Sequence, residues 1–476
     1  MDQTLIDKFT ALVGAAFALT SATDQAGYLT EWREKYQGKT PLVLLPGSVD
    51  EVAAIVKLAF ETRTALVPQG GNTGLVGGQL PDLSGSQVVV SLKRLTKKRN
   101  ISPSSHSMIV EAGVTLKEAQ DYAAAHDRLL PLSLASEGSC QIGGTIATNA
   151  GGIQVLKYGM MRDLVLGLEV VLPTGEVWQG LRALRKDNTG YDLKSLFAGS
   201  EGTLGIITAA CLKLYPRPVV RQVGLVGLQR LADLAAFFEH VQLKAGAALG
   251  SFEMISALGV EFSLNFMRGQ GQAQGAAQEM PLKDKWAWYG LVELEGMKEE
   301  AVAALMEDVL GSALEGGLIG DAVVSSSEAQ RLQLWAIRER LSEAQKPEGG
   351  SIKHDVSVPI ASIPAFIEEA NKVATSLIPG ARPVPFGHFG DGNIHYNVSQ
   401  PQGADKQQFL AQWEALNEAI YEVVLKYEGS ISAEHGIGVM KRDLLARVRS
   451  RSELELMRAV KQALDPRGIL NPGKVI

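Results

Sequence analysis

Two glycine-rich segments constrain this chain more than any other feature of its sequence. The first, PQGGNTGLVGG at 68–78, follows a short apolar run that predicts a buried strand. The second is LASEGSCQIGGTIATNAGG at 134–152. Backbone without Cβ atoms turns tightly and lets a diphosphate approach its amides, which form anion-binding concavities. Each segment alone is also consistent with a cluster of structural turns.

The two segments fit a dinucleotide cofactor, but not through the commonest folds. Neither contains the GxGxxG arrangement of a Rossmann unit or the GxxxxGK of a P-loop. The sequence therefore argues against nicotinamide dinucleotides and nucleoside triphosphates as ligands. We expect a different nucleotide-binding fold.

Composition limits the class of protein. The 476 residues are 46% hydrophobic, which predicts two or three folded domains. A net charge of -6 argues against nucleic-acid binding, which requires a concentrated basic face. The chain has two cysteines and lacks a secretory signal, which predicts a cytoplasmic protein. It also lacks an apolar run of about 18 residues, so we expect no membrane span.

Secondary-structure patterns predict a mixed α and β chain. Ser48 with Glu51, and Thr115 with Glu118, predict capping boxes at helix starts. Prolines 216 and 218 predict a domain boundary, because proline continues neither a helix nor a ladder. We therefore expect domains at 1–218 and 219–430 and a C-terminal segment at 431–476. Within the second domain, helical patterns cover 298–311, 327–345, 361–378 and 404–427, and a mobile glycine-rich loop covers 269–278.

Histidines concentrate late in the chain, where four of the seven follow residue 350. In PFGHFGDGNIHYNV, His388 precedes a turn, and His395 shares a face of the next predicted strand with Asn397. Glu434 and His435 follow in SAEHGIG. Two imidazoles and one carboxylate suit Zn²⁺ or a similar ion such as Mn²⁺, so His388, His395 and Glu434 are the predicted ligands. Structural histidines are the alternative.

Three residues in 327–357 are candidates for binding an anionic substrate. Arg338 and Ser342 are four apart on a predicted helix, and Lys353 lies on the next predicted strand. A guanidinium binds a carboxylate through two hydrogen bonds, and an ammonium adds a point charge. The alternative is that both cations are solvated surface groups.

Taken together, the motifs resemble the FAD-linked oxidoreductases of the vanillyl-alcohol oxidase fold. The resemblance runs through both glycine segments, Tyr158-Gly159, AGSEGTLGIIT from Ala198 and LNPGK from Leu470. It implies an α+β FAD-binding domain of two subdomains, an α+β substrate domain with an antiparallel sheet, and a helical C-terminal segment. It also implies FAD contacts at Pro68, Gly70, Gly71, Asn72, Thr73, Gly74, Leu75, Gly138, Ser139, Gly143, Gly144, Asn149, Gly202, Ile207 and Asn471. Because no histidine lies in the first segment, we expect noncovalent FAD.

HFGDGNxHxN and EHGIG narrow the resemblance to the D-2-hydroxy acid dehydrogenases, in particular those acting on D-2-hydroxyglutarate. This implies hydride transfer from the substrate to flavin N5, with His435 as general base, because imidazole accepts a proton near neutrality. Arg338, Lys353 and Asn397 would hold the carboxylates. Ser342 stands where the related enzymes have threonine, so the hydroxyl is kept but the exact substrate stays open.

Alternatives remain at this point. D-lactate, D-malate or glycolate could be the substrate. The chain could also be a metallohydrolase, an enzyme of a different class, in which the glycine loops have only a structural role. A noncatalytic flavin or anion-binding module is a third, although it leaves the predicted metal and base unexplained. The sequence leaves the electron acceptor open among an electron-transfer flavoprotein, a cytochrome, a quinone and oxygen. The protein is expected to form a homodimer.

Overall fold

A computed structural model describes residues 1–271 and 280–476. The chain divides into two compact units. Unit 1 contains Met1–Gly152, Tyr158–Arg217 and Glu434–Ile476, and unit 2 contains Ile153–Lys157 and Pro218–Ala433. Most of the mobile loop predicted at 269–278 lies outside the described residues.

The first sheet of unit 1 has the strand order β1-β2-β4-β3. Its strands are β1 (Ala18–Leu19), β2 (Val43–Leu44), β3 (Leu66–Gln69) and β4 (Val88–Ser91). The central pairs β2-β4 and β3-β4 are parallel. The edge strand β3 does not expose its whole backbone, because Leu66 donates to Ile469 O and accepts from Asn471 N, both at 2.8 Å.

A second, antiparallel sheet of unit 1 has the order β5-β6-β10-β8-β9, and β7 pairs separately with β11. The strands are β5 (Lys98–Ser102), β6 (Ser107–Glu111), β7 (Arg128–Leu129), β8 (Val165–Val171), β9 (Val177–Gly180), β10 (Ile206–Lys213) and β11 (Tyr215–Pro216). The central strand β10 is buried along nearly its whole length.

Unit 2 is built on a seven-stranded sheet with the order β15-β12-β14-β13-β17-β18-β16, all antiparallel. The strands are β12 (Val220–Leu228), β13 (Leu249–Ser256), β14 (Trp288–Gly296), β15 (Asp321–Val324), β16 (Ser351–Ser357), β17 (Arg382–His388) and β18 (Asn393–Ser399).

The α-helices of both units follow the apolar periodicity of the sequence. In chain order they are α1 (Gln3–Val13), α2 (Ala22–Leu29), α3 (Val49–Thr62), α4 (Leu116–Ala124), α5 (Ile142–Ala147), α6 (Val155–Tyr158), α7 (Met161–Leu164), α8 (Lys194–Phe197), α9 (Leu231–Ala245), α10 (Ala257–Gly271), α11 (Glu299–Glu315), α12 (Glu328–Glu339), α13 (Leu341–Ala344), α14 (Ile363–Leu377), α15 (Lys406–Leu410), α16 (Trp413–Lys426), α17 (Arg442–Val448) and α18 (Arg451–Leu464).

The register of the large sheet puts several polar side chains on one face. Glu253 lies two residues from Ile255, which pairs with Phe386, and Phe386 pairs with His395. Because side chains alternate along a strand, this face of the sheet also carries Glu293, His388, Asn397, Asp355 and Lys353. The apolar part of the same face packs against α10, α12 and α13. We call this surface the polar face of unit 2.

Two local predictions were wrong in detail. At Ser48 the hydroxyl caps the Glu51 N–H as expected, but Glu51 accepts from Gly47 N rather than from Ser48 N. The helix predicted over 327–345 is interrupted at Arg340, where ψ is -5°. That value departs from the helical range, so α13 is a separate turn. The capping box at Thr115 and Glu118 is confirmed.

Candidate functional site

The predicted cofactor residues all lie in unit 1, where several motifs meet through their glycines. A Cβ on Gly71 would stand 1.9 Å from the carbonyl oxygen of Ser139, so the two glycine segments touch backbone to backbone. A Cβ on Gly202 would stand 3.2 Å from the ring of Pro68. At Gly71 only a residue without a side chain allows this approach, and Gly202 has φ 73°, a conformation that glycine adopts without strain. The first segment is therefore packed against both of the other motifs.

The glycine segments and the residues around them also carry open positions and buried polar atoms without partners. Added Cβ atoms on Gly138 and Gly144 would meet nothing within 4 Å. The side-chain oxygens of Gln69, Gln141 and Asn471 are buried and have no hydrogen-bond partner within the described residues. A buried acceptor without a partner is costly, so a ligand bearing hydroxyl or amino donors would be stabilised here. The residues present thus fit a nucleotide cofactor.

Two asparagines in the glycine segments use their side chains to hold the loops. Asn72 has φ 55°, donates to the carbonyl of Thr30 at 2.9 Å and accepts from Gln79 at 3.1 Å. Asn149 has φ 49° and accepts from the Arg162 N–H at 2.8 Å. Asparagine tolerates this left-handed region better than most residues. Any contribution of Asn72 to cofactor binding would come mainly from its backbone.

Two other predicted contacts have evident packing roles. A Cβ on Gly143 would stand 2.7 Å from that of Ala112, so this glycine lets α5 approach the neighbouring backbone. Ile207 is buried in the apolar core of the second sheet. The structure gives both residues a packing function.

Sequence reasoning missed Glu201, which lies between Ser200 and the predicted contact Gly202. Its carboxylate accepts from the Ile437 N–H at 2.7 Å and from the Gly438 N–H at 2.8 Å. Burial raises the pKa of Glu201 above its ordinary value, although both backbone donors favour the charged form. Asn471 donates to the carbonyl of Glu201 at 2.7 Å. Glu201 therefore fixes the loop that follows His435.

In unit 2, the predicted hairpin with His388 and His395 is confirmed. His388 ends β17, a short turn reaches Gly392 at φ 87°, and His395 lies on β18. The two imidazoles meet edge to face with centroids 5.5 Å apart. Asn397 is buried on the same face and pairs with Lys353 across β16 and β18. The alternating pattern of the strand thus placed these side chains correctly.

The third predicted ligand, Glu434, is joined by one peptide bond to Ala433, the last residue of unit 2. His388 and His395 lie on one face of the sheet of unit 2, and Glu434 is the first residue of the unit 1 segment that follows. Two imidazole nitrogens and a carboxylate oxygen are a donor set that Zn²⁺ accepts, so the chemistry of these three side chains fits the predicted metal.

Sequence reasoning also missed Glu253, the most buried charge on the polar face, whose side chain is 1% exposed. One oxygen accepts from Nδ1 of His388 and the other from Nε of Arg338, each at 2.7 Å. Burial alone would raise the pKa of Glu253, but His388 and Arg338 outweigh burial and hold the pKa below its ordinary value. In the sequence, the only indication of this role was that an acidic residue lies within the apolar run of β13.

Arg338 is buried, so it is not a solvated surface group. Its guanidinium lies 4.8 Å from the ring centroid of Phe386. Lys353 donates to the carbonyl oxygen of Ser342 at 3.4 Å. The expectation that Ser342 and Arg338 share one continuous helix face was wrong, because the break at Arg340 separates them. The Lys353 ammonium and the backbone of Ser342 are nevertheless in contact.

Comparison with known proteins identifies the family of both units. The family profile described as FAD linked oxidases, C-terminal domain, matches residues 217–475. The profile described as FAD binding domain matches residues 40–180. Among residues 1–271 and 280–476, no helix combines the length and the apolar character needed to cross a membrane.

Curated relatives extend over nearly the whole chain. A D-2-hydroxyglutarate dehydrogenase of Xanthomonas citri pv. viticola is 37% identical over 456 residues, covering 96% of this chain and 93% of the relative. A mitochondrial D-2-hydroxyglutarate dehydrogenase of Bos taurus is 37% identical over 447 residues, covering 94% and 78%.

Solved structures show the same fold at low identity. p-Cresol methylhydroxylase with substrate bound superposes with a TM-score of 0.75 at 19% identity, covering 99% of this chain and 96% of that one. An alkyldihydroxyacetonephosphate synthase gives a TM-score of 0.74 at 18% identity, covering 99% and 85%. The α+β fold of the vanillyl-alcohol oxidase type is thereby confirmed. The chain belongs to the FAD-linked oxidase family.

Proposed function

We propose that this protein oxidises D-2-hydroxyglutarate to 2-oxoglutarate with noncovalent FAD and a divalent metal ion. The observation that carries the proposal is the buried Arg338 of α12, which is hydrogen-bonded to Glu253 on the sheet face that bears His388 and His395. A buried cation beside a set of metal-ligating residues suits an acid whose hydroxyl and carboxylate bind together. Relatives named D-2-hydroxyglutarate dehydrogenase support the choice of acid.

In the proposed reaction, the side chains bind and orient the substrate. Arg338 and Lys353 neutralise its two carboxylates, Asn397 donates an amide N–H to them, and the Ser342 hydroxyl adds a hydrogen bond. Fixing the acid in this way holds its Cα hydrogen in one direction, which lowers the entropic cost of reaction.

The proton chemistry falls to His435. A ring nitrogen of His435 accepts the proton of the substrate hydroxyl, which must leave as the carbonyl forms. His388, His395 and Glu434 would hold a Zn²⁺ or Mn²⁺ ion, which supplies Lewis acidity toward the hydroxyl oxygen. FAD, when bound by the glycine segments of unit 1, supplies the two-electron acceptor chemistry.

A panel of acids tests the proposal. In a dye-linked assay, we expect kcat/KM to be highest for D-2-hydroxyglutarate, at least about tenfold above D-lactate and glycolate, because these acids lack the second carboxylate and lose one cationic contact worth about 1.4 kcal/mol or more. D-Malate keeps both carboxylates but is one methylene shorter, so we expect its kcat/KM to fall between those of D-2-hydroxyglutarate and D-lactate. L-2-hydroxyglutarate is the matched control, since it carries the same charges. A higher kcat/KM for a smaller acid would contradict the substrate assignment.

The remaining expectations accompany this proposal. We propose that an electron-transfer flavoprotein, a cytochrome or a quinone reoxidises the flavin, and that the protein works in the cytoplasm as a homodimer. The predicted boundaries at 1–218, 219–430 and 431–476 assign FAD binding, substrate binding and return to the flavin site to successive parts of the chain.

A further inference from the structure

One carboxylate on the polar face of unit 2 serves two partners with different predicted tasks. Glu253 lies on β13, beside β17 in the register that continues from Ile255 and Phe386. Its Oε1 accepts from His388, a predicted metal ligand, and its Oε2 accepts from Arg338, a predicted substrate-binding cation. Both oxygens of a single buried side chain are therefore in use.

The bond to His388 determines which ring nitrogen carries the proton. The ionised carboxylate can only accept, so Nδ1 of His388 must donate. In the neutral imidazole the lone pair is then on Nε2. A carboxylate that holds the distal N–H of a histidine fixes the ring orientation and makes the other nitrogen a better ligand. Nε2 is therefore the nitrogen that His388 offers to a cation.

The bond to Arg338 has a matching consequence. Glu253 occupies Nε, and Phe386 lies 4.8 Å from the guanidinium carbon. Within the described part of the chain, no hydrogen bond is found for the two terminal amino groups of Arg338. Those two groups form the fork that pairs with a carboxylate. Glu253 thus holds the guanidinium from one edge and leaves the opposite edge for substrate.

Glu293 shows what a purely structural carboxylate looks like on the same face. It is also buried, and it accepts from Arg331 at 3.0 Å and from Trp335 at 2.7 Å. Arg331, Trp335 and Arg338 are successive inward positions of α12. Both carboxylates therefore bind the same helix to the sheet. They differ in that Glu253 alone holds a histidine of the predicted metal set.

We infer that Glu253 is a positioning residue that sets the Nε2 ligand geometry of His388 and the carboxylate-binding orientation of Arg338 together. The inference rests on the proposed metal and substrate sites and goes beyond them, because it couples the two through one side chain. Loss of this carboxylate should weaken metal binding and substrate binding at once.

The test is the affinity for Zn²⁺ of purified full-length, FAD-loaded protein, measured by competition with a chromophoric chelator. Glu253→Gln should weaken Zn²⁺ binding about 10- to 100-fold and raise KM for D-2-hydroxyglutarate, with the flavin absorbance unchanged. Glu293→Gln is the matched control and should leave both the Zn²⁺ affinity and KM within about twofold of the parent protein, because it touches neither site.

Removing Glu253 alone leaves the buried Arg338 charge uncompensated, so the variant can fail to fold. The double variant Glu253→Gln/Arg338→Met avoids this imbalance and should show the same loss of Zn²⁺ affinity. Arg338→Met alone should keep the Zn²⁺ affinity while KM rises, and Glu253→Asp should partly restore Zn²⁺ binding relative to Glu253→Gln.

The outcomes separate the inference from the function on which it rests. Equal Zn²⁺ affinity in the parent, Glu253→Gln and double variants overturns the inference, as does an equal loss in Glu293→Gln. Parent protein that binds Zn²⁺ with the expected variant pattern but oxidises no acid on the panel refutes the proposed activity and leaves the role of Glu253 in metal binding supported.

Discussion

The two units build their candidate sites from different parts of the polypeptide. In unit 1 the cofactor region is made mainly of backbone, and its tightest contact is that of Gly71 with the carbonyl of Ser139. In unit 2 the site is made of side chains on one face of a sheet, with Glu253, His388 and Arg338 joined by hydrogen bonds. Substitutions that add side-chain atoms should therefore disturb the cofactor region of unit 1. Substitutions that remove functional groups should disturb the candidate site of unit 2.

This difference matches what we propose that each site holds. A diphosphate is bound well by many amide dipoles, which every residue supplies if its side chain is out of the way. A metal ion and an organic acid need particular nitrogen and oxygen atoms at fixed positions, which only side chains supply. Three predictions sharpen the contrast.

The largest effect should come from removing the metal. Dialysis against EDTA should abolish turnover while the flavin spectrum stays unchanged, because the ion belongs to the side-chain site alone. Added Zn²⁺ or Mn²⁺ should restore activity. Mg²⁺ is the control and should not, since it prefers oxygen ligands over imidazole. Full turnover by protein that elemental analysis finds free of metal would contradict the ligand set.

The next effect should come from His435→Ala. Loss of the proposed base should lower kcat about 10²- to 10⁴-fold without loss of bound FAD, measured by dye reduction and by absorbance. His126→Ala provides a control histidine, because His126 is exposed and, among the residues that the structure describes, its ring interacts with Tyr122 just before it in the chain. Unchanged kcat in His435→Ala would remove His435 from the mechanism.

Gly71→Ala should have the smallest effect on turnover per bound flavin, although its effect on folding should be large. Its Cβ would collide with the backbone at Ser139, which should destabilise unit 1 by about 3 kcal/mol and lower the amount of FAD retained after purification. Thermal unfolding and flavin absorbance measure these losses.

Gly144→Ala is the matched control for that substitution, because open space surrounds the added methyl group. In flavin-free protein, where no cofactor meets the methyl group, it should leave the unfolding temperature unchanged or raise it slightly, since alanine favours helix over glycine by up to about 1 kcal/mol. Gly71→Ala is compared with it in the same flavin-free form. Equal destabilisation by both substitutions would argue that crowding at Gly71 is not the cause.

Local patterns predicted much of this molecule. Strand alternation placed His395 and Asn397 on one face, and Thr115 with Glu118 formed the expected capping box. Glu253 and Glu201 were missed because their partners are distant in the sequence: His388 lies 135 positions from Glu253, and Ile437 lies 236 positions from Glu201. No periodicity encodes such pairs. The break at Arg340 was missed for another reason, since the apolar pattern of α12 continues past it.

The pairing of Leu66 with residues 469–471 affects the order in which the protein is completed during synthesis. The strand that leads into the first glycine segment gains its outer neighbour only after about four hundred further residues have left the ribosome. Unit 2 lies almost entirely within that interval. The sheet of unit 2 can therefore be assembled first, and the outer edge of β3 gains its partner only afterwards.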